Sequence, residues 1–334
     1  MKINHKPKNA LITGSNGFIG HNFVKYFLKK NNKAKIFCID KITKHSIKKN
    51  KIKFSKFKNY KFIRCDINNS SQIKSILEKY SINTVINFAA ESHVDRSIDS
   101  PKKFYINNTL GTINLANLCN NQWSKINLKN TRFIQISTDE VFGSILGKKS
   151  AVENSKYNPS SPYSSSKSSA DLGLLSFIKT YKFPVNIVYM CNNFGPYQNY
   201  EKFIPTVIQS CLKKIRIPVY GSGKNIRQWI FVEEACEAIY RVLIYGKKFE
   251  NYNIGSKSYF TNIFLAKKIC EIFSKKIDKN FNFKKLIEFI KDRPGHDFRY
   301  SLNNKKIKKN LKWKSKRSFL KDLETTIDWY LNDN

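Results

Sequence analysis

Acidic residues are scarce in this sequence. Its 334 residues include 24 Asp and Glu against 61 Lys and Arg, which gives a formal net charge of +37. Such an excess is typical of proteins that bind nucleic acids. The basic residues are nevertheless spread over the whole chain, and no recognised nucleic-acid-binding module accompanies them. We therefore predict no nucleic-acid partner and interpret the lysine-rich runs as solvated surface.

Long hydrophobic runs are also lacking. No apolar stretch approaches the roughly 20 residues of a membrane span, and residues 1–9 are polar, unlike a signal peptide. The seven cysteines never occur in Cys-x-x-Cys spacing, which argues against a zinc site or a disulfide framework. We therefore expect a cytoplasmic protein with reduced thiols, no membrane contact and no bound metal.

The stretch 134–143, IQISTDEVFG, organises the rest of the sequence. Its first half is apolar and rich in β-branched residues, which is typical of a buried strand in a parallel sheet. Ligands of such sheets collect beyond the carboxyl ends of the strands, so Thr138, Asp139 and Glu140 are candidate catalytic residues. An acidic pair after a strand can also cap the next helix, so this stretch alone leaves both interpretations open.

Tyr163 and Lys167 favour the catalytic interpretation. They are four residues apart at the start of a helix predicted over 163–181, so their side chains share one helical face. There the ammonium group can lower the pKa of the phenol and make it a usable base near neutrality. Because the pair follows both the acidic stretch and an N-terminal glycine-rich loop, we interpret these side chains as one catalytic set.

The glycine-rich loop, GSNGFIG at 14–20, separates a strand predicted over 9–14 from a helix predicted over 17–30. Its glycines permit a tight turn and a close approach to a pyrophosphate, and the helix N-terminus attracts anions. Asp40 ends the next strand, where a carboxylate accepts the ribose hydroxyls and repels a 2′-phosphate. The predicted cofactor is therefore NAD rather than NADP, and Asp66, after the third strand, is predicted to meet its adenine edge.

Three other segments carry weaker signals. Segment 89–97, AAESHVDRS, starts with small residues that let the backbone pass close to a cofactor. We interpret its charged residues as a buried polar network rather than as metal ligands. Segment 220–229 is either a hairpin turn or a second glycine-rich loop whose Arg227 can fork onto phosphate. Segment 292–297 is the one loop of the lysine-rich C-terminal part whose composition suggests ligand contact.

The order of the predicted elements indicates an α/β fold, a doubly wound parallel Rossmann sheet with a smaller C-terminal α/β lobe. Over nearly the full length, the motifs resemble the extended short-chain dehydrogenase/reductases. STDE, ESHVDRSI and RPGHD are narrower, and they resemble the nucleotide-sugar 4,6-dehydratases rather than the related 4-epimerases and decarboxylases. The similar stretches are TGSNGFIG (13–20), AAESHVDRSI (89–98), STDEVFG (137–143), PSSPYSSSK (159–167), NNFGPYQ (192–198), EKFIP (201–205), VYGSGKNIRQW (219–229) and DRPGHDFRY (292–300).

The resemblance implies NAD-dependent dehydration of dTDP-glucose to its 4-keto-6-deoxy product. Tyr163, helped by Lys167, would take the C4 hydroxyl proton while NAD takes the C4 hydride, and Thr138 would hydrogen-bond the C4 oxygen. Glu140 would remove the C5 proton, Asp139 would protonate the departing C6 hydroxyl, and the hydride would return to C6. The alternatives left open are the same or related chemistry on a UDP-sugar (4,6-dehydratase, 4-epimerase or decarboxylase) and a silent NAD-binding or basic nucleic-acid-binding protein.

The resemblance also implies two sets of binding residues and no metal ligands. The cofactor set is Gly14, Gly17, Phe18, Ile19, Gly20, Asp40, Lys41, Thr43, Asp66, Ile67, Phe88, Ala89, Ala90, Ser92, Asn107, Tyr163, Lys167 and Asn193. The nucleotide-sugar set is Ser92, Thr138, Asn192, Lys202, Phe203, Pro218, Val219, Tyr220, Arg227, Asn262, Asp292, Arg293, Pro294, Gly295 and His296.

Domains and assembly follow from the same resemblance. Residues 1–190, with 227–257 returning to them, are assigned to the NAD-binding domain. Residues 191–226 and 258–334 are assigned to the nucleotide-sugar-binding domain. A homodimer is implied through two helices of each subunit, predicted over 102–121 and 163–181.

Gln228 and Tyr200 depart from the family pattern, which has Asp and Pro at these positions. We place both in loops on the substrate side, where they leave the base of the nucleotide open between dTDP, UDP and others. Neither departure removes a reacting group.

Overall fold

A seven-stranded parallel sheet forms the centre of the larger lobe, in the strand order β10-β6-β5-β4-β1-β2-β3. The computed structural model describes residues 1–42, 54–126 and 128–333. The inner strands are apolar and almost wholly buried, because helices cover both faces of the sheet. The strands are β1 Asn9–Thr13, β2 Lys35–Asp40, β3 Tyr60–Arg64, β4 Thr84–Asn87, β5 Arg132–Thr138, β6 Val185–Met190 and β10 Tyr252–Ile254.

Helices of the larger lobe pack in two layers, with α1 against α8 and α2 against α5, which also contacts α6. A π-helical turn, Tyr105–Leu110, connects α4 to α5, so the helix predicted over 102–121 consists of three successive pieces. The helices are α1 Phe18–Lys30, α2 Ser70–Lys79, α3 Val94–Asp99, α4 Pro101–Phe104, α5 Gly111–Lys125, α6 Pro162–Tyr181 and α8 Val232–Tyr245.

The smaller lobe has its own hydrophobic core, built on a three-stranded sheet (β11-β9-β7) and a two-stranded sheet (β12-β8). Its strands are β7 Asn192–Phe194, β8 Ile217–Tyr220, β9 Ile226–Phe231, β11 Ser258–Thr261 and β12 Ile287–Ile290. The remaining helices are α7 Phe203–Lys213, α9 Asn262–Lys276, α10 Lys305–Leu311 and α11 Phe319–Asp333.

The predicted α/β fold with a doubly wound parallel sheet is confirmed, and the strand predicted over 9–14 ends one residue earlier, at Thr13. Segment 220–229 is not a hairpin, because β8 pairs with β12 whereas β9 pairs with β7 and β11. Two segments lie differently from the predicted domains. β9 belongs to the smaller sheet, and Trp313 after α10 packs into the core of the larger lobe.

The topology opens a crevice at the carboxyl ends of β1 and β4. These strands are neighbours in the sheet although β2 and β3 separate them in the chain. Chain connections leave such a switch point in opposite directions, so the space above it is free for a ligand. No helix in the described part of the chain is long and apolar enough to cross a membrane.

Candidate active site

Glycines shape the floor of the crevice. Gly14 has a φ of +61°, and a Cβ there would lie 2.7 Å from the Ala89 backbone nitrogen. A Cβ on Gly20 would collide with the carbonyl of Gly14. The backbone nitrogen of Ala89 donates a hydrogen bond to Thr13 Oγ1 at 3.1 Å, which joins the ends of β1 and β4. These residues leave a cradle of bare backbone, which fits a pyrophosphate beside the N-terminus of α1.

A carboxylate ends the next strand along the chain. Asp40, at the end of β2, accepts hydrogen bonds from the backbone nitrogens of Asn16 and Ile42, both at 3.0 Å. These contacts hold the carboxylate at the rim of the cradle, where ribose hydroxyls are recognised in dinucleotide-binding folds. Lys41, the next residue, donates to Asn107 at 2.7 Å and pairs with Glu91 at 3.1 Å.

The carboxyl end of β5 carries the acidic pair. Asp139 and Glu140 begin a short 3₁₀ turn that is capped by Thr138, whose Oγ1 accepts from the backbone nitrogen of Glu140 at 3.3 Å. Burial, and next the negative charge of Glu140, raise the pKa of Asp139 well above its ordinary value. Burial also raises the pKa of Glu140, and the nearby positive charges of Arg293, Arg227 and Lys202 oppose that rise. Asp139 is therefore suited to hold a proton at neutral pH, whereas Glu140 lies among cations.

The first turn of α6 holds Tyr163 opposite this pair. Ser161 and Ser164 form a reciprocal capping box, and Pro162 occupies the first helical position, so the helix begins at a defined residue. The backbone nitrogen of Tyr163 also donates to Ser97 Oγ at 3.1 Å. The phenol is thereby buried within reach of the end of β5.

The pKa of Tyr163 does not follow the expectation from sequence. Burial raises it, the charge of Glu140 raises it further, and a hydrogen bond with Thr138 opposes the rise. Lys167 donates to the carbonyl of Ile136 at 2.7 Å, and burial lowers its own pKa. The predicted lowering of the phenol pKa is therefore not seen, because desolvation is the largest effect on Tyr163 and Lys167 is not among the principal groups that act on it.

Arg227 does not line the crevice. The residue is 5% exposed, and its guanidinium donates to the carbonyls of Ile226, Asp297 and Phe298 and lies 4.3 Å from the ring centre of Tyr300. This cation fixes the segment 292–300 to β9. Its charge still reaches the acidic pair, since it lowers the pKa values of both carboxyls.

The segment 292–297 faces α3 across the mouth of the crevice. Arg293 Nη1 lies 3.3 Å from Asp95 Oδ1, and the Tyr220 hydroxyl donates to Asp95 Oδ2 at 3.0 Å. His296 Nδ1 lies 2.6 Å from Asp292 Oδ1. Burial, and next the positive charge of Arg293, lower the pKa of His296, so its ring is neutral at pH 7.

One cavity of about 350 Å³ connects the glycine cradle with Thr138, Glu140 and Tyr163, whereas Asp139 lies beside it and does not line it. Seventeen of the eighteen predicted cofactor residues line it, and Thr43 lies outside the described residues. Of the predicted substrate residues, Ser92, Thr138, Asn192 and Lys202 line the same cavity. The other substrate residues do not line it: Phe203, Pro218, Val219, Tyr220, Arg227, Asn262, Asp292, Arg293, Pro294, Gly295 and His296.

An ion pair that was not predicted from the sequence lines the cavity. Arg96 Nη2 donates to Glu201 Oε1 at 2.5 Å, which joins α3 to the segment before α7. The two residues are 105 positions apart, so no local spacing could reveal the pair. Glu91 and Asp95 of the same segment also form ion pairs, with Lys41 and with Arg293, so these charged residues each have a partner outside segment 89–97.

Gln228 lies away from the substrate, contrary to expectation. It is fully buried, donates to the carbonyl of Ser256 at 2.7 Å and to the hydroxyl of Tyr259 at 2.8 Å, and accepts from the backbone nitrogen of Leu302 at 3.0 Å. Its side chain therefore binds the C-terminal segment to β9 and β11. An amide in place of a carboxylate here bears on packing and not on the base of the nucleotide.

The Rossmann sheet, the glycine cradle and the tyrosine-lysine pair beside an acidic couple define an extended short-chain dehydrogenase/reductase. A sequence profile described as GDP-mannose 4,6 dehydratase matches residues 11–326. A dTDP-glucose 4,6-dehydratase of Haemophilus influenzae is 39% identical over 331 residues, which cover 97% of this chain and 98% of that protein.

Two solved structures agree with this relationship. The dTDP-glucose 4,6-dehydratase of Bacillus anthracis, in complex with NAD, has a TM-score of 0.87 and 36% identity, and the match covers 98% of this chain and 97% of that one. DesIV of Streptomyces venezuelae, solved with NAD bound, has a TM-score of 0.89 and 33% identity over 97% of each chain. The chain belongs to the dTDP-glucose 4,6-dehydratase family, which confirms the resemblance seen in its motifs.

Proposed function

We propose that this protein catalyses the NAD-dependent dehydration of dTDP-glucose to dTDP-4-keto-6-deoxyglucose. The observation that carries the proposal is the acidic pair at the end of β5. Asp139 has a strongly raised pKa, and Glu140 beside it is surrounded by three cations. A proton donor and a proton acceptor on adjacent residues are what the elimination of water across a carbon-carbon bond requires.

The bare backbone around Gly14 and the carboxylate of Asp40 fit NAD, because Asp40 accepts hydrogen bonds and repels a 2′-phosphate. When bound, NAD supplies the acceptor for the C4 hydride and later the donor that returns it to C6, together with a positive charge in the cleft. The relatives solved with NAD support this assignment.

The chain's own residues move the protons. Tyr163 accepts the C4 hydroxyl proton, and Lys167 and Thr138 stabilise the phenolate and the C4 oxygen. The resulting ketone acidifies the C5 hydrogen, which Glu140 removes. Asp139 donates its proton to the C6 hydroxyl, which leaves as water. Return of the hydride to C6 and of a proton to C5 completes the product.

The cationic side chains assigned to the diphosphate are Lys202 and Arg293. Lys202 lines the cavity, and Arg293 pairs with Asp95, whose neighbour Arg96 lines it. Arg227 supports this segment from behind through its carbonyls. We therefore assign Arg227 an indirect role in binding and keep Lys202 and Arg293 as direct ligands.

A 4-epimerase on a UDP-sugar is the alternative on the same scaffold. Epimerisation at C4 needs a base for the C4 hydroxyl and a hydride acceptor, but no acid at C6 and no base at C5. Asp139 and Glu140 would then have no role in the reaction. Burying an acidic pair destabilises the fold, so a pair without a role is not expected. The pair therefore favours the dehydratase.

Incubation of the purified protein with dTDP-glucose, UDP-glucose and GDP-glucose, followed by mass spectrometry, tests the proposal. We expect a product lighter by one water from dTDP-glucose at the highest rate. Loss of water from UDP-glucose at a higher rate would replace the proposed substrate, and an unchanged mass with all three would refute the dehydratase.

Tyr163→Phe supplies the matched test of the site. It should lower kcat by about 10² to 10⁴-fold, the usual contribution of a positioned acid or base. Tyr252→Phe is the control, because Tyr252 is also buried but lies on β10 and accepts from the backbone nitrogen of Lys247 at 3.2 Å. Equal activity of the two variants would contradict the assignment of Tyr163.

We further propose a homodimer formed through α5 and α6, in the cytoplasm. Leu110, before α5, and Leu172, on α6, are 60% and 54% exposed, so each helix presents a large apolar side chain to the outside. All seven cysteines are unpaired, in keeping with a reducing compartment. Leu172→Lys should shift the protein to monomer in sedimentation, and an unchanged dimer would place the interface elsewhere.

A further inference from the structure

A third buried ionisable residue lies on the helical face that carries Tyr163 and Lys167. Asp171 follows Lys167 by four residues on α6, and none of its surface is exposed. A carboxylate without solvent is unfavourable unless other groups compensate for the loss of hydration. Asp171 takes part in none of the proposed proton transfers, so its burial needs another physical reason.

The carboxylate of Asp171 connects α6 to β5. The hydroxyl of Ser137 donates a short hydrogen bond to Asp171 Oδ2, and Oδ1 has no hydrogen-bond partner in the described residues. Ser137 directly precedes Thr138, which hydrogen-bonds the Tyr163 phenol. The Asp171 carboxylate thus fixes the strand that carries Thr138 against the helix that carries Tyr163.

Four ionisable groups face Asp171, and Lys167 is the cation among them. Lys167 and Tyr163 come from α6, Tyr157 from the segment before it and Tyr189 from β6. The hydroxyls of Tyr157 and Tyr189 are 2.7 Å apart, and burial raises the pKa of both, so they stay neutral. Burial raises the pKa of Asp171 to about 7, and the charge of Lys167 opposes that rise. Above this pH the ionised Asp171 opposes the effect of burial on the pKa of Lys167, which makes it the counter-charge of that ammonium group.

We propose that Asp171 is a positioning residue of the reaction, which keeps Lys167 protonated and holds the end of β5 against α6. The inference rests on the proposed function, because the charge of Lys167 matters only if Tyr163 is the base. Asp171 has two separable effects in this proposal: its charge acts on Lys167, and its hydrogen bond with Ser137 holds the end of β5 in place.

Asp171→Asn tests the charge effect, since it keeps the size of the side chain and an acceptor for Ser137. We expect kcat for dTDP-glucose to fall about 10-fold. The alkaline limb of the kcat profile should move to lower pH by about one unit, because Lys167 loses its proton earlier without the anion. The KM should stay within about twofold, because Asp171 does not line the cavity.

Ser137→Ala tests the geometric effect. It keeps the charge, so kcat should fall while the alkaline limb moves by less than in Asp171→Asn. Asp322→Asn is the matched control, because it neutralises another buried carboxylate, which binds Arg317 in the smaller lobe. This control should keep the wild-type profile.

A folded Asp171→Asn protein with wild-type kcat and pH profile would overturn the inference. If that variant does not fold, Asp171→Glu carries the test. The retained charge should keep the alkaline limb in place while the longer side chain lowers kcat, and a wild-type kcat would refute the positioning role. Absence of the keto sugar with the wild-type protein would instead refute the proposed function.

Discussion

The cofactor half and the substrate half of the cleft are built from different parts of the chain. Backbone forms the cofactor half, where Gly14 leaves the space of a side chain empty and Asp40 is held by two backbone nitrogens. Charged side chains form the substrate half, and they bind protein groups, as Arg293 binds Asp95 and Arg96 binds Glu201.

This difference determines the free-energy cost of rearranging each half when its ligand binds. The cradle around Gly14 requires no rearrangement, because its shape is part of the sheet. In the proposed complex Arg293 would exchange the carboxylate of Asp95 for a phosphate, which would lower the net gain from the new ion pair. We therefore expect changes in the cofactor half to act on stability and NAD retention, and changes in the substrate half to act on rates and KM.

Asp139→Asn should give the largest effect in the substrate half. We expect elimination of water to slow by about 10² to 10⁴-fold, because the proton donor is lost while the C4 base remains. Reduced cofactor should then accumulate, which stopped-flow absorbance of NADH detects. Equal slowing of oxidation and elimination would contradict the acid role of Asp139.

Gly14→Ala should give the largest effect in the cofactor half. The new Cβ meets the backbone of Phe88 and Ala89 at 2.7 Å in a left-handed conformation, so we expect a loss of about 3 kcal/mol in the free energy of unfolding. NAD should be lost on gel filtration. Gly147→Ala is the control, since Gly147 has a φ of +66° but open space around it, and denaturant titration should show a loss of only about 1 kcal/mol.

The buried acid of the substrate half should also appear in the pH dependence of stability. The pKa of Asp139 is raised above its ordinary value of 3.8, so the folded state keeps a proton that the unfolded state releases. Wild-type stability should fall relative to Asp139→Asn as pH rises from the ordinary value through the raised pKa, by about 1.4 kcal/mol per unit. Denaturant titrations at several pH values measure the difference, and a difference independent of pH would mean that Asp139 stays ionised.

Asp95→Asn should give the smallest effect, by removing the internal partner of Arg293. We expect the KM for dTDP-glucose to fall about threefold with kcat unchanged, since half-exposed ion pairs contribute little. Asp278→Asn is the control, because it removes the pairing of Lys214 on the outer surface of the smaller lobe. A higher KM in Asp95→Asn would show that Asp95 orients Arg293 rather than competing for it.

The cofactor half was predictable because its signals are local. The spacing of glycines between β1 and α1, and the carboxylate that ends β2, act within a short stretch of chain. Gly14, Gly17, Gly20 and Asp40, which these local signals predict, line one cavity with the cofactor residues that the family resemblance implies. The substrate half depends on side chains brought together from distant segments. The buried positions of Arg227 and Gln228 therefore could not be predicted from the sequence.

The amino-acid sequence by itself determined the parallel sheet, the nucleotide cradle and the order of the reacting groups, because hydrophobic periodicity and motif spacing are properties of neighbouring residues. Only the tertiary structure decided the protonation of the site and the partners of its cations. A pKa depends on the water excluded and on the charges assembled around a group. For Tyr163 and Asp139, those surroundings come from elements far apart in the chain.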